Sequence, residues 1–310
     1  MTAEPAGPEA AGVSPRLNIV GCGRAAGSLA RLWLEADAVE LGDILNRSLD
    51  SARRAASGLG AGQAVSALGD MQPAAIWLIG TGDDRIAGVA AALAERSGSA
   101  AKLDGALVLH LAGRLGPEVL APAAGQGACT ASLHPVRSLT HDELSIRQFR
   151  GTACVAEGDE VALRRLRPLV DAIGGLWIPV RAVDRGLYHA ALSIVSNVTK
   201  GVAWKAQNWL ERAGLEATTA AAVTHQLLQS TMDDLFRAGA RQSITGPVVR
   251  GDTRTVEAHL VALQSSYPQD IELYRVLART VLELAQERGD LDAAVLARFQ
   301  ALLGGSESPG

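Results

Sequence analysis

Aromatic side chains are scarce in this 310-residue chain: phenylalanine, tryptophan and tyrosine together make up 4% of it. With hydrophobic residues at 48%, the cores must be built mostly from Ala, Leu and Val. Cysteine is scarcer still. Cys22, Cys129 and Cys154 are dispersed and lack metal-ligand spacing, which excludes a disulfide framework, gives no metal site and points to a reducing cytoplasm. There is no run of basic residues, and the formal net charge is −4. A nucleic-acid partner is therefore not expected. No apolar stretch is long enough to span a bilayer, so no membrane partner is expected either. Residues Met1 to Pro15 have neither a basic start nor an apolar h-region. They do not read as a signal peptide, and their Ala, Gly, Pro and Glu content reads as a disordered tail. Charged residues at 20% and the length of the chain fit a globular protein with two sizeable domains.

The chain is organised around Arg16 to Ser28. The apolar run Leu17 to Val20 reads as a buried strand and leads directly into Gly21 and Gly23. An apolar periodic segment containing Leu29, Leu32 and Trp33 comes next and reads as a helix. Strand, glycine turn and helix in this order are the context of the dinucleotide-binding fingerprint. Gly21 permits the tight turn, and Gly23 leaves room for a pyrophosphate. Ala26 holds the third position, where a small residue lets helix and strand pack closely. Arg24 lies in the first turn of the helix, whose amides and dipole favour phosphate. The alternative is a tight strand–helix turn without a ligand.

Beyond this turn the first half alternates strands (Val39–Leu45, Ala74–Ile79, Ala106–Leu111, Gly127–Leu133, Gly151–Ala156, Leu176–Val180) with helices (Leu49–Gly58, a segment containing Ile86, Val89 and Leu93, Asp159–Ile173). Continuous rather than alternating apolar strands between helices imply a parallel sheet covered on both faces. After Val180 the pattern is almost wholly helical. Segments run over Asp184–Arg212, Glu216–Ala240, Thr253–Ser265, Asp270–Glu287 and Leu291–Leu303, before a Gly/Ser/Pro tail. The spans predicted are a tail at 1–15, an α/β dinucleotide-binding Rossmann domain with a mostly parallel sheet at 16–180, an all-α domain at 181–303 and a tail at 304–310.

The second strand ends in Asn46-Arg47-Ser48. Enzymes that use NAD place an acidic residue there to bind the ribose 2′-hydroxyl, whereas an Arg and a hydroxyl attract a 2′-phosphate. The pattern predicts NADP(H); the competing reading is a solvated Arg beside a helix N-cap Ser. Asp43 lies inside the strand, so it does not serve as that acid. In open α/β sheets ligands lie beyond the carboxyl ends of the strands, which singles out Gly80, Thr81, His110 and His134. Each histidine can be structural or part of a site. On the long helix, at about 100° per residue, His189, Ser193, Ser196, Asn197 and Lys200 share one face, opposite Ala191, Ile194, Val195, Val198 and Val202. That face reads either as a site lining or as a wet helix face. Between two helices lies Thr245-Gly-Pro-Val-Val-Arg-Gly-Asp252. In it Asp252 suits an N-cap and Arg250 suits a substrate carboxylate.

Several of these pieces together are familiar: Gly-x-Gly-Arg, His110 with Gly113, Leu133-His134-Pro135, Tyr188-His189-x-Ala with Ser196-Asn197, and Thr-Gly-Pro-x-x-Arg-Gly-Asp. From about Arg16 to Leu303 the chain resembles a family of Rossmann-like proteins with a helical C-terminal domain of unknown function. That family is usually described as NADP-dependent oxidoreductases. It is similar in plan to ketopantoate reductase, pyrroline-carboxylate reductase and the 3-hydroxyisobutyrate dehydrogenases. Two departures stand out: Ala26 replaces a usual Gly, and Ala112 and Arg114 stand where a Ser-Gly-Ala run is common. The resemblance implies a C-terminal domain of the 6-phosphogluconate-dehydrogenase-like type, a site between the domains and a homodimer. It also implies a small-molecule substrate, with ketopantoate leading and a cyclic imine as the alternative. A non-catalytic NADP(H)-binding regulator is the competing class. Related dehydrogenases use a Lys and an Asn on a comparable helix. That implies catalytic roles among His189, Asn197, Lys200 and His134, with Ser193 and Arg250 binding substrate.

Overall fold

The computed structural model describes residues 14–96, 103–140 and 143–304. Apart from residues 14, 15 and 304, the two tails expected from the sequence lie outside the described residues. The strands are β1 (Arg16–Val20), β2 (Glu40–Leu45), β3 (Gln63–Val65), β4 (Ile76–Ile79), β5 (Leu107–His110), β6 (Cys129–Pro135), β7 (Ala153–Gly158) and β8 (Leu176–Pro179). The helices that accompany them are α1 (Arg24–Glu35), α2 (Leu49–Leu59), α3 (Asp83–Arg96), α4 (Ala121–Ala124), α5 (Glu143–Arg147) and α6 (Glu160–Ala172).

The eight strands form one sheet in the order β3-β2-β1-β4-β5-β6-β7-β8. Every neighbouring pair is parallel except β6 with β7. The sheet is thus mostly parallel, as the unbroken apolar runs require. The strand β3 is too short to show any periodicity and is not apparent in the sequence. Chain order reverses between β1 and β4, and a crevice opens at the carboxyl ends of strands at such a switch point. Backbone bonds tie those ends together: the Gly21 amide donates to the Leu45 carbonyl at 2.7 Å and the Gly80 amide to the Val20 carbonyl at 2.9 Å.

Both faces of the sheet are covered. On one, Leu17, Ile19, Leu29, Trp33, Leu166 and Leu169 form a continuous core; Trp33 is fully buried, and its indole N–H donates to the Leu169 carbonyl at 2.9 Å, joining α1 to α6. On the other, Met71, Trp77, Ile79, Ile86 and Leu93 pack together. A buried polar knot holds the opposite edge. Asn18 donates to the Gln72 carbonyl at 2.7 Å and accepts from the Asp43 amide at 2.8 Å, and the Asp43 carboxylate accepts from the Gln72 amide at 2.6 Å. Gly42 leaves the room this needs, because a Cβ there would lie 2.4 Å from Asn18 Oδ1. Asp43 is therefore a structural acid.

The helical part comprises α7 (Arg185–Ser193), α8 (Thr199–Arg212), α9 (Ala217–Ala238), α10 (Ala240–Ser243), α11 (Thr253–Ser266), α12 (Ile271–Arg288) and α13 (Ala293–Leu303). Its core is formed by Val248, Val256, Ala278, Leu282, Phe299 and Leu303. The Asp270 carboxylate, at the start of α12, accepts from Lys205 Nζ at 2.7 Å and from the Trp209 indole at 3.0 Å. The single helix expected over 216–240 is broken at Gly239, whose φ of +75° ends α9. The helix expected over 184–212 contains a π-helical turn at Ile194–Val198, between α7 and α8. The compact units divide inside that turn, between Val195 and Ser196, although the character of the sequence changes earlier, at Val180–Asp184. No described helix is long and apolar enough to cross a membrane.

The polar knot is directly testable. An Asn18→Leu variant strands the Gln72 carbonyl and the Asp43 amide, so its unfolding free energy in urea should fall by about 1–3 kcal/mol for each stranded group. A variant as stable as the parent would show that the knot contributes nothing.

Candidate functional site

The glycine turn is shaped by two kinds of close approach. Gly21 has a φ of +90°, and a Cβ there would sit 2.7 Å from the Thr81 amide nitrogen. A Cβ on Gly80 would sit 2.5 Å from the Ala26 methyl and 2.5 Å from the Gly21 carbonyl oxygen. These positions admit only glycine because β1, β4 and α1 meet there. The methyl of Ala26 is accommodated by the missing side chain of Gly80. Gly23 differs from both. Its φ of −87° suits any residue, and its only neighbour within 4 Å of a Cβ is the Gly80 carbonyl oxygen at 3.9 Å. The fold does not need glycine at 23, which leaves a ligand as the reason for the space.

Gly23 is also the N-cap of α1, with no side-chain cap and no acidic residue in the first turn. The amides of that turn thus carry partial positive charge toward the open side. A cavity of about 450 Å³ lies there, lined by Gly21, Cys22, Gly23, Asn46, Arg47, Ser51, Gly80, Thr81, Gly82, Asp84 and Arg85. Thr81 Oγ1 is buried in its wall without a hydrogen-bond partner. The Arg47 and Arg85 side chains are exposed on its rim and make no hydrogen bond or ion pair with the described residues. Free helix amides, an orphaned hydroxyl and unpartnered guanidinium groups are a donor set suited to the phosphates and ribose of a dinucleotide. Cys22 has a thiol pushed up to about 11 by burial, so it is a neutral spacer and not a nucleophile.

Three residues expected at the cofactor have other duties. Asn46 accepts from the Cys22 amide at 2.7 Å and donates to the Ser51 carbonyl at 3.1 Å, clamping the glycine turn to α2. Ser48 is the N-cap of α2, and its hydroxyl oxygen accepts from the Ser51 amide at 3.3 Å. His110 is fully buried; its Nε2 lies 3.0 Å from the Gly116 carbonyl, and its Nδ1 accepts from the Ala112 amide at 3.2 Å. With Nε2–H donating to that carbonyl, both ring nitrogens are used in shaping the turn after β5. Burial pushes the His110 pKa down, which keeps the ring neutral. Both ring nitrogens of His110, a residue expected at the cofactor, are thus engaged within its own turn. Arg24 and Ala26 do not line the cavity. Arg24 is exposed and Ala26 is buried against the sheet.

His134, near the end of β6, is better placed. Its Nδ1 lies 2.9 Å from the Tyr188 hydroxyl, and the two rings meet edge to face with centroids 5.8 Å apart. Gly113 lies against the imidazole, since a Cβ there would come within 2.8 Å of its Cε1. Burial, with His189 and Arg185 nearby, lowers the His134 pKa to about 4, and Asp83 opposes the shift. Arg185 underlies this pair. It is 8% exposed, and it donates to Glu157 at 2.6 and 2.9 Å and to the Ser132 hydroxyl at 2.7 Å. Its guanidinium carbon stands 5.6 Å from the Tyr188 ring centroid. Asp184 caps α7 by accepting from the Leu187 amide at 3.0 Å, which sets Arg185 at the first position of the helix. Sequence reasoning missed Arg185, Glu157 and Ser132. The available signal was an Arg next to a capping Asp, entering a chain otherwise poor in buried charge.

The remaining expected residues are less concentrated. His189 is exposed and Ser193 half-buried on α7, while Asn197 and Lys200 are exposed beyond the start of the π turn. A π turn bonds i to i+5, so the residue spacing of an unbroken α-helix does not hold across Ile194–Val198. In the Thr245–Asp252 loop, Val248 and Val249 are buried and Arg250 is exposed. Asp252 is an N-cap, accepting from the Thr255 amide at 3.1 Å and from its hydroxyl at 2.6 Å. Arg114, a departure from the family pattern, lies 3.1 Å from Asp83.

Comparison with known proteins agrees with this architecture. Residues 5–135 match the Rossmann-like domain family and residues 152–281 the Domain of unknown function (DUF2520). No curated protein matches the sequence. The crystal structure of protein TM1727 from Thermotoga maritima is 25% identical over 88% of this chain and 99% of that one, with a TM-score of 0.65. BF3122 from Bacteroides fragilis, provisionally named an NADP oxidoreductase, is 19% identical over 87% and 98% of the two chains, with a TM-score of 0.70. The pyrroline carboxylate reductase of Plasmodium falciparum, solved with NADP bound, is 12% identical over 93% and 99%, with a TM-score of 0.53. The chain joins a Rossmann-like domain to a DUF2520 domain, the combination its motifs resemble.

Space for a ligand and space for packing are separable by mutation. Gly23→Val should fold with parental stability and lose binding of NADPH, monitored by fluorescence titration. Gly80→Ala should lower the melting temperature, because its methyl meets Ala26. A Gly23→Val variant that binds NADPH as the parent does would leave the turn with a purely structural role.

Proposed function

We propose that this chain is an NADP(H)-dependent reductase of a small 2-oxo acid, with ketopantoate the first substrate to test. The observation that carries the reading is the cavity at the β1/β4 switch point, open beside Gly23 and rimmed by the unpartnered Arg47. Gly21, Gly23 and the first-turn amides of α1 hold the pyrophosphate. Arg47 takes the 2′-phosphate, helped by the Ser48 hydroxyl, and Asn46 keeps the turn in shape. The end of β2 carries no carboxylate to repel that phosphate. When bound, NADPH supplies the hydride, and the chain must supply substrate binding and a proton. Within this reading Arg250 binds the substrate carboxylate, with Ser193 beside the substrate. His189, Asn197, Lys200 and His134 are the residues assigned to the chemistry.

Reduction of a cyclic imine is the second reading, favoured by the plan shared with pyrroline carboxylate reductase. The proposal includes a cytoplasmic setting, supported by the free thiols of Cys22, Cys129 and Cys154. It also includes a homodimer, supported by the apolar residues Trp204, Leu227 and Phe236, which the helical unit exposes at 60%, 65% and 82%.

NADPH oxidation with ketopantoate and with pyrroline-5-carboxylate tests the substrate class. Tight NADPH binding without turnover of either would favour the regulator. For the cofactor, the parent should prefer NADPH to NADH, and Arg47→Ala should erase most of the preference. A lost charge-assisted bond is worth about 1.5–3 kcal/mol, roughly 10- to 150-fold in affinity. Equal affinities in the parent would contradict the NADP assignment.

A further inference from the structure

We propose that Tyr188 is the proton donor of the reduction and that His134 is the relay that restores its proton. The inference rests on the reductase reading above and names the acid that reading requires. Hydride addition to a C=O or C=N carbon pushes an electron pair onto the oxygen or nitrogen, which must then be protonated. Among the described residues near the carboxyl edge of the sheet, one hydroxyl is joined to an imidazole by a direct hydrogen bond, at 2.9 Å between Tyr188 Oη and His134 Nδ1. Tyr188 is half-buried, and its hydroxyl meets the imidazole.

The groups around the pair are fitted to this task. Burial raises the Tyr188 pKa, which keeps the phenol protonated, and the charge of Arg185 over its ring partly opposes that shift. Glu157 and Ser132 hold the guanidinium in place, which makes Arg185 a positioning residue. His134 faces Arg185, His189 and Asp83, and its lowered pKa of about 4 keeps it neutral across the physiological range. A neutral imidazole carries one N–H and one bare nitrogen, which is what a relay needs. Gly113 leaves the ring unobstructed on one side.

Protons and electrons balance in this sequence. The hydride bonds to the substrate carbon, the π pair moves to the heteroatom, and that atom takes the Tyr188 hydroxyl proton. The phenolate oxygen takes the proton from His134 Nδ1, and His134 Nε2 takes one from water. The imidazole ends neutral with its proton on the other nitrogen, and exchange with water resets it between turnovers. Each cycle consumes one hydride from the nicotinamide and one solvent proton.

His189 is the alternative donor, and pH separates the two. An imidazolium donor would be lost as the pH rises, and kcat would then fall about tenfold per pH unit. With Tyr188 as the acid, kcat stays level from pH 6 to 8. The experiment uses the full-length protein saturated with NADPH and the faster of ketopantoate and pyrroline-5-carboxylate. It compares the parent, Tyr188→Phe and His189→Ala. The expected result is a kcat lowered about 100-fold or more in Tyr188→Phe, with NADPH affinity and melting temperature unchanged, and a level pH profile in the parent. In ¹⁵N NMR of the NADP⁺-loaded protein, His134 should give one neutral tautomer near pH 7, and Tyr188→Phe should redistribute it. Parental kcat in Tyr188→Phe, or a parent profile that falls between pH 6 and 8 and is levelled by His189→Ala, would overturn the proposal while leaving the reductase intact. A parent inactive on both substrates would instead overturn the reductase reading itself, and the donor role with it.

Discussion

The structure depends on how closely β1, β4 and the start of α1 approach one another. Gly21, Gly80 and Ala26 meet with no room for another methyl group, and this contact fixes where α1 begins relative to the strand ends. It sets the direction of the free helix amides, the open space beside Gly23 and the position of the cavity wall at Thr81. A larger side chain at Gly80 would push α1 off the sheet and misdirect the amides. Two situations therefore occur at neighbouring glycines: packing requires Gly21 and Gly80, and Gly23 borders open space.

Charge is placed with the same economy. Several acidic and basic side chains of the Rossmann-like unit pair at the surface, where such pairs contribute little. Arg47 and Arg85, which make no ion pair with the described residues, are on the cavity rim. The buried cation Arg185 is matched by Glu157 and lies beneath Tyr188 and His134. Removing one partner of such a buried pair strands the other, so this ion pair is a costly element to lose. Its location beside two polar rings gives that cost a function.

Much of this was legible in the sequence because it rests on local rules. The apolar runs ending at Val20, Ile79 and His110 declare buried parallel strands, and the Gly21–Ala26 spacing declares the strand–helix turn. The features that were not legible depend on long-range geometry. His110 and His134 look alike at strand ends, but one spends both nitrogens on its own turn and the other reaches a tyrosine from α7. Asn46 lines the cavity and also clamps the glycine turn to α2 through bonds that no local pattern reveals. The polar stripe from His189 to Lys200 assumes an ideal helix, and nothing in the residue types of Ile194–Val198 announces a π turn. Glu157 and Arg185 are brought together by the reversal of β7 against β6, which no local pattern reveals.

In the proposed binding mode the cavity beside Gly23 holds the phosphates of NADP(H), with the 2′-phosphate at Arg47. Phosphorus NMR of NADP⁺ added to the protein addresses it most directly, because it observes the pyrophosphate and the 2′-phosphate separately. Both sets of resonances should shift on binding. The second ionisation of the 2′-phosphate, near pH 6 for a free phosphate monoester, should move lower, because the guanidinium favours the dianion. Binding that shifts the pyrophosphate but leaves the 2′-phosphate titrating as in free solution would contradict the account.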